Sequence, residues 1–383
     1  MTDQLLTKLQ ERKTSGNARR LTSGAGLVDF VSNDYLGLAR SEELFRKISS
    51  YDYSGIINKN GSAGSRLLAG NSPEHEQLES KLANIFEAES ALLFNSGYSA
   101  NLALVSSIPQ KGDTILYDSL SHVCLKEGAW LSKADSISFR HNDLEDLESK
   151  LKRARGTIFV IIESVYSMDG DLVPIKDIIN LAKGYGGHLI VDEAHSTGVN
   201  GKDGAGLVCE MGLAHEFLAR VYTFGKGMGV HGACICGGAA LIEYLVNFGR
   251  PFIYTTALPI HGVFSIDAAF DYLKDHIQLQ SLLRDNIRFF NSRYDEVLGK
   301  DSSWIKPYSE TAIQPIIIPG NDRIKEVANE LQKVGLDVRP VLSPTVKAGT
   351  ERLRISLHTH NTQKQIEKLI QALASCAGSS KKD

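Results

Sequence analysis

Lys226 stands in Thr223-Phe-Gly-Lys-Gly-Met-Gly229, directly after a β-rich stretch at Val221–Phe224 and with a glycine on each side. An amine so placed can condense with an aldehyde, and the flanking glycines let the backbone lie close to a flat group. Asp192 ends the apolar run His188-Leu-Ile-Val-Asp192, where a carboxylate is costly to bury unless a cation or donor faces it. His195, three residues on, can reach a phenolic oxygen. Asn95-Ser-Gly-Tyr98 follows the β-rich stretch Ala91–Phe94 and opens a helical one, so the amides of Gly97 and Tyr98 can receive a phosphate with help from the helix dipole. Thr223 offers a hydroxyl to the same group. His122, after Thr114–Tyr117, stands where an imidazole can stack on a ring. A lysine for the aldehyde, a carboxylate for the ring nitrogen and helix-end donors for the phosphate are what a protein must supply to pyridoxal 5'-phosphate. Singly, each residue has a plainer reading: a solvated loop lysine, a helix-cap aspartate, structural histidines. Their joint occurrence at strand ends favours the cofactor site.

These residues need a scaffold that brings strand ends together. Ala91–Phe94, Thr114–Tyr117, Ile137–Phe139, Thr157–Glu163, His188–Asp192, Val221–Phe224 and Ala233–Cys236 are β-rich and alternate with amphipathic helical stretches. Two of the helices have clear starts, at Ser72-Pro73-Glu74 leading into Leu78, Leu82 and Ile85, and at Asn142-Asp143 leading into Leu144, Leu147 and Leu151. Such alternation predicts crossover units and a mostly parallel sheet. Ligands of open α/β sheets collect at the carboxyl ends of the strands, which singles out Glu163–Gly170, Asp192–Gly201 and Thr223–Gly232. Beyond about Tyr272 long helical segments take over, with strands near Ile313–Ile318 and Leu353–Ser356. The expected architecture is α/β: a mostly parallel central sheet flanked by helices, with a smaller α+β C-terminal domain. The expected division is an N-terminal segment at 1–45, a large domain at 46–272 and a small domain at 273–383.

Of 383 residues, 42% are hydrophobic and 23% charged, with Lys+Arg 42 against Asp+Glu 45. That near-neutral, apolar-rich composition excludes a disordered tail and argues against a dedicated nucleic-acid binder. Of 34 glycines, 14 fall between Gly184 and Gly238, around Asp192, His195, Thr223 and Lys226. The five cysteines form no paired C-x-x-C elements, so neither a zinc site nor a disulfide framework is expected. No apolar run is long enough to span a bilayer, and the first residues lack the apolar core and cleavage site of a signal peptide, so a cytoplasmic setting without membrane contact is expected. Asp192-Glu-Ala-His195 spells a helicase-type box, but no G-x-x-x-x-G-K-[ST] accompanies it. Gly227-Met-Gly-Val-His-Gly232 satisfies a dinucleotide glycine pattern, yet a strand follows it where a helix is required.

With those residues in hand, the chain from about Leu9 to His360 resembles the α-oxoamine synthases, fold type I pyridoxal phosphate enzymes that join an amino acid to an acyl thioester with loss of CO2. The resemblance is carried by Ser32-Asn-Asp-Tyr-Leu-Gly-Leu38, Gly64-Ser-Arg-Leu-Leu-Ala-Gly70, Ser96-Gly-Tyr-Ser-Ala-Asn101, Ser167-Met-Asp-Gly-Asp171, Asp192-Glu-Ala-His-Ser-Thr-Gly198, Thr223-Phe-Gly-Lys226, Tyr254-Thr-Thr256 and Gly349-Thr-Glu-Arg-Leu-Arg354. It implies that Lys226 holds the cofactor covalently, Asp192 pairs with the ring nitrogen, His195 with the phenolic oxygen, and His122 stacks on the ring, while Ser167, Thr223, Gly97 and Tyr98 complete the cofactor site. It implies a homodimer with a shared active site, Thr255 and Thr256 reaching the partner subunit's phosphate. Asn33 and Arg354 match positions that hold the amino-acid carboxylate, and Arg19 and Thr345 match acyl-substrate contacts. The wording Thr223–Ala233 is most similar to the family members that use L-alanine and a pimeloyl thioester in biotin synthesis; other members use glycine or a different acyl-CoA. An aminotransferase or lyase of the same fold is the rival reaction class. No metal is implied. Three departures stand out: a short segment between Arg20 and Asp29, Val123-Cys124 in place of Ala-Ser after the histidine, and Leu342 where some relatives have arginine.

Overall fold

The computed structural model describes residues 2–19, 21, 24, 26–299 and 304–379. Residues 20, 22, 23 and 25 of the short segment, and 380–383, lie outside the described residues. The chain forms two compact units, one from residues 33–167 and 171–283, the other from 1–32, 168–170 and 284–383.

Along the chain come helix α1 (Asp3–Thr14), strand β1 (Val28–Asp29), helices α2 (Glu42–Ser49) and α3 (Pro73–Ile85), then β2 (Ser90–Phe94), α4 (Gly97–Ser107), β3 (Thr114–Asp118), α5 (Val123–Leu131), β4 (Asp135–Phe139), α6 (Leu144–Leu151), β5 (Ile158–Glu163), α7 (Ile175–Gly184), β6 (His188–Asp192), β7 (Ala219–Thr223) and β8 (Ala233–Gly237). Strands β2 to β8 form the seven-stranded sheet of the larger unit in the order β2-β8-β7-β6-β5-β3-β4. All neighbours pair in parallel except β8, which is antiparallel to both β2 and β7. The connection from β7 to β8 spans only 224–232, too short for the crossover that a parallel partner needs. The other six strands run one way, so Phe94, Asp118, Phe139, Glu163, Asp192 and Thr223 all finish at one edge of the sheet.

Every strand of the large sheet except the edge strand β4 is placed by burial. Leu92, Ile115, Ile161, Ile190, Val221 and Ile235 share one core with Ala100, Ala103 and Leu104 of α4 and Leu125 and Ala129 of α5. Fully burying each larger aliphatic side chain contributes roughly 1.5–3 kcal/mol, and the central strands β3, β5, β6 and β7 are buried on both faces. The expected strand Val221–Phe224 is displaced: β7 begins at Ala219, and Phe224 leaves the ladder to pair with Gly232 across the connecting loop. Local signals set the helix starts. Asp143 caps α6 by accepting from the Asp146 amide at 2.9 Å, and Ser96 caps α4 by accepting from Ser99 at 3.2 Å. At α3 the expected cap is absent; the Ser72 hydroxyl meets the His75 ring at 2.9 Å instead.

The smaller unit is α+β. Its strands β9 (Ile313–Ile317), β11 (Pro340–Val341) and β12 (Arg352–Ser356) form an antiparallel sheet in the order β11-β12-β9, while β1 pairs in parallel with β10 (Leu336–Asp337). Residues 168–170 join this unit through the Gly170 carbonyl, which accepts from Ser309 at 3.0 Å, and through an Asp169–Arg352 ion pair. No helix among the described residues is long and apolar enough to cross a membrane.

Candidate active site

The carboxyl edge of the large sheet gathers the titratable groups. Asp192, 5% exposed at the end of β6, accepts from the Asn101 side-chain amide at 2.7 Å and from the Ala194 backbone N–H at 2.8 Å. Both donors are neutral, so the buried negative charge still calls for a cationic partner. Asn101, on the core-facing side of α4, leaves its Oδ1 buried without a hydrogen-bond partner. The residues therefore fit a protonated ring nitrogen facing Asp192.

The start of α4 fits a phosphate. Gly97 packs so closely on Thr223 that a Cβ there would lie 2.3 Å from the Thr223 Oγ1. The amides of Gly97 and Tyr98 belong to the first turn of an 11-residue helix, whose N–H groups have no intrahelical acceptor. Thr255 and Thr256 lie beside Asn95, two residues before α4: Asn95 donates to the Thr255 hydroxyl at 3.2 Å and to the Thr256 carbonyl at 2.8 Å.

Lys226 sits in the arc between β7 and β8, its Nζ 2.9 Å from His195 Nε2. His195 Nδ1 is 2.7 Å from the hydroxyl of Tyr35, which donates to Asn33 Oδ1 at 3.0 Å. The arc is held against the 33–40 segment: Gly229 is left-handed (φ +66°), and a Cβ there would lie 2.3 Å from the Ala39 nitrogen. That segment is folded by Asp34, which accepts from the Ala39 amide at 3.0 Å and from the Arg40 side chain at 3.2 Å.

His122 caps α5 through its own ring. Nδ1 accepts from the Cys124 backbone N–H at 3.3 Å and lies 2.9 Å from the Cys124 Sγ, which in turn receives the Asn101 amide at 3.4 Å. Although His122 is exposed, the protein packed around the ring and the Lys226 charge push its pKa down, so the ring is neutral at pH 7 and its proton sits on Nε2. Glu163, opposite Asp192 in the β5–β6 register, accepts the His122 backbone N–H. Burial and the adjoining Asp192 push the Glu163 carboxyl above its ordinary range.

Ser167, half-buried, follows β5 in a loop closed by the Tyr166–Asp171 backbone bond at 3.0 Å. His141 ties this loop to the end of β3, with Nδ1 2.9 Å from Asp118 and Nε2 2.8 Å from Asp171. Burial opposes the charged ring, but the two carboxylates outweigh it and hold the His141 pKa at about 10. Of the substrate candidates, Asn33 belongs to the larger unit, whereas Arg19, Thr345 and Arg354 belong to the smaller one. Arg19 and Thr345 are exposed, and Arg354 donates to the Ser356 hydroxyl at 3.0 Å. Tyr35, Asn101 and His141 escape a sequence reading, and Glu163 is reached only as the start of a strand-end stretch with no role of its own, although a polar Asn101 on the apolar face of α4 is a usable signal.

A mostly parallel α/β sheet with a lysine, an aspartate and a helix N-terminus on one edge defines the class of the aminotransferase fold. The family model of aminotransferase class I and II matches residues 25–373. The 8-amino-7-oxononanoate synthase of Emericella nidulans is 39% identical, over 97% of this chain and 95% of its own length, and that of Marinobacter nauticus is 34% identical over 96% and 94%. Among solved structures, the 8-amino-7-oxononanoate synthase of Francisella tularensis superposes with a TM-score of 0.79 at 29% identity, covering 93% of this chain and 99% of that one. Sphingomonas wittichii serine palmitoyltransferase gives 0.88 at 26% identity, covering 99% and 98%. The chain belongs to the aminotransferase class I and II family, in its 8-amino-7-oxononanoate synthase branch.

Two outcomes follow from this geometry. Gly97→Ala is expected to cost about 1–3 kcal/mol through the Thr223 contact, and Thr223→Ala in the same chain to restore much of it, as read by thermal unfolding. A raised histidine pKa stabilises the fold fully below the unfolded value of 6.5, progressively less as pH rises, and no longer above about 10. His141→Gln should remove that decline from the unfolding free energy measured between pH 6 and 10.

Proposed function

We propose that this α-oxoamine synthase catalyses the pyridoxal phosphate-dependent condensation of L-alanine with pimeloyl-CoA, or with pimeloyl carrier protein, to give 8-amino-7-oxononanoate, the free thiol carrier and CO2 in biotin synthesis. The observation that carries it is the buried Asp192 with only neutral donors, on the same sheet edge as the Lys226–His195 contact and the α4 N-terminus. The names of the relatives, several of them 8-amino-7-oxononanoate synthases at 34–39% identity, support the substrate pair.

Asp192 would hold the cofactor's ring nitrogen, Lys226 its aldehyde carbon, His195 its phenolic oxygen, and Gly97, Tyr98 and Thr223 its phosphate end, with Ser167 completing the site and His122 against the ring. Bound there, the cofactor supplies an electron sink for the amino acid's α-carbon. Lys226, whose amine lies against His195, would be the group to take and return the α-proton of the amino acid. His122, neutral with its proton on Nε2, donates a hydrogen bond toward the acyl carbonyl rather than a charge. Asn33 and Arg354 would fix the amino-acid carboxylate, Arg354 by a two-pronged guanidinium contact, and Arg19 and Thr345 would face the acyl substrate.

The active unit is read as a homodimer in the cytoplasm. Ile57, Leu68 and Tyr254 of the larger unit are 95%, 86% and 74% exposed, more apolar surface than an isolated subunit needs to present, and Thr255 and Thr256 adjoin Tyr254. The serine palmitoyltransferase likeness makes L-serine with a long acyl chain the second pair to examine.

The test is a matrix of L-alanine, glycine and L-serine against short, pimeloyl and long acyl-CoAs, following thiol release. L-Alanine with pimeloyl-CoA should exceed every other pair by at least about tenfold in kcat/KM; a faster glycine or serine pair overturns the substrate choice. Lys226→Ala should abolish both turnover and the absorbance of covalently held cofactor.

A further inference from the structure

Tyr35 is among the most deeply buried aromatic residues of the larger unit, 1% exposed, yet its hydroxyl is engaged on two sides. It lies 2.7 Å from His195 Nδ1 and 3.0 Å from Asn33 Oδ1, and the far side of the His195 ring, Nε2, lies 2.9 Å from Lys226 Nζ. Four polar groups from three separate segments thus form one unbroken line: Lys226, His195, Tyr35, Asn33.

The direction of the line is fixed from both ends. Asn33 Oδ1 is a carbonyl oxygen and can only accept; Lys226, while it holds its proton, can only donate. His195 Nε2 must therefore accept, which puts the ring proton on Nδ1. Nδ1–H donates to the Tyr35 oxygen, and Tyr35 passes its own hydrogen to Asn33. With the ring proton on Nε2 instead, two donors face each other at Lys226, and Tyr35 must withdraw its hydrogen from Asn33 to satisfy Nδ1. Only one histidine tautomer serves all four groups.

We propose that in the cofactor-free chain Tyr35 is a positioning residue that holds His195 in the Nδ1–H tautomer, with the Nε2 lone pair facing Lys226, and orients the Asn33 amide. Tyr35 engages Oδ1 and so fixes the plane of the Asn33 amide, of which Nδ2 is the atom suited to donate to a carboxylate. The Asn33 half of the inference rests on the proposed amino-acid chemistry; the tautomer half involves no substrate.

The test is 15N NMR of the histidine rings in the full-length, cofactor-free chain at pH 7, with His195→Asn used to assign the signal. In the wild type the His195 proton is expected on Nδ1, and in Tyr35→Phe, which keeps the buried ring, the signal should shift toward Nε2–H. The cofactor-loaded Tyr35→Phe enzyme should show an amino-acid KM raised about tenfold with the acyl-thioester KM unchanged. A wild-type His195 carrying its proton on Nε2 overturns the proposal even if the variant does not fold, as does a Tyr35→Phe spectrum identical to the wild type. An unchanged amino-acid KM overturns the Asn33 half. A substrate matrix favouring glycine or serine would refute the substrate pair while leaving the tautomer measurement intact.

Discussion

The large unit is organised around a carboxylate taken out of water. Removing the Asp192 charge from solvent costs several kcal/mol unless something answers it, and the chain answers only in part, with the Asn101 amide and one backbone N–H. Those two bonds nevertheless impose geometry. They require α4 to cross the sheet so that Asn101 reaches the end of β6, and this same placement sets Gly97, one helical turn earlier, against Thr223 at the end of β7. Asp192 and the Gly97–Thr223 contact are therefore both positioned by one helix, and their separation cannot drift independently.

The antiparallel β8 serves the same edge. Because the chain returns directly after β7, the short arc carrying Lys226 stays at the carboxyl end of the sheet instead of leading away into a crossover helix. Gly229 then allows the arc to touch the 33–40 segment at a distance no Cβ would tolerate, which brings Tyr35 and Asn33 to His195. Precision at Lys226 comes from backbone contact on one side and a hydrogen-bonded ring on the other, not from burial of the amine itself.

Much of this was legible in the chain because strand ends are legible. Apolar runs that stop at Asp192, or give way to glycine after Thr223, mark both an element and its carboxyl end, and six of the seven central strands follow from such runs, the exception being the polar edge strand β4. What local pattern cannot carry is pairing at long range. Nothing in Val28-Asp29 announces Leu336–Asp337 as its neighbour, and nothing near Asp192 announces a donor 91 residues away. His141 is equally silent in sequence, since its raised pKa comes from Asp118 and Asp171 on either side, joined only by folding. The β7 boundary shifts for a related reason: Phe224 has strand-like chemistry, but its amide is claimed by Gly232 across the loop.

The departure at Val123-Cys124 is explained by the same network. The residue after Val123 must satisfy two neighbours at once, the Nδ1 of His122 and the amide of Asn101, 2.9 and 3.4 Å from its side-chain atom. A hydroxyl does this as donor and acceptor, and a thiol retains both capacities in weaker form. Burial and the nearby Asp192 hold the Cys124 pKa well above that of a free thiol, so the group stays protonated and able to donate. Serine-to-cysteine exchange at this place keeps the bridge from His122 to the Asp192 donor, whereas an alanine would leave Asn101 Nδ2 with Asp192 alone and His122 Nδ1 with only a backbone N–H. The variation is thus tolerated where the chemistry of the bridge, rather than its exact atoms, is what the site requires.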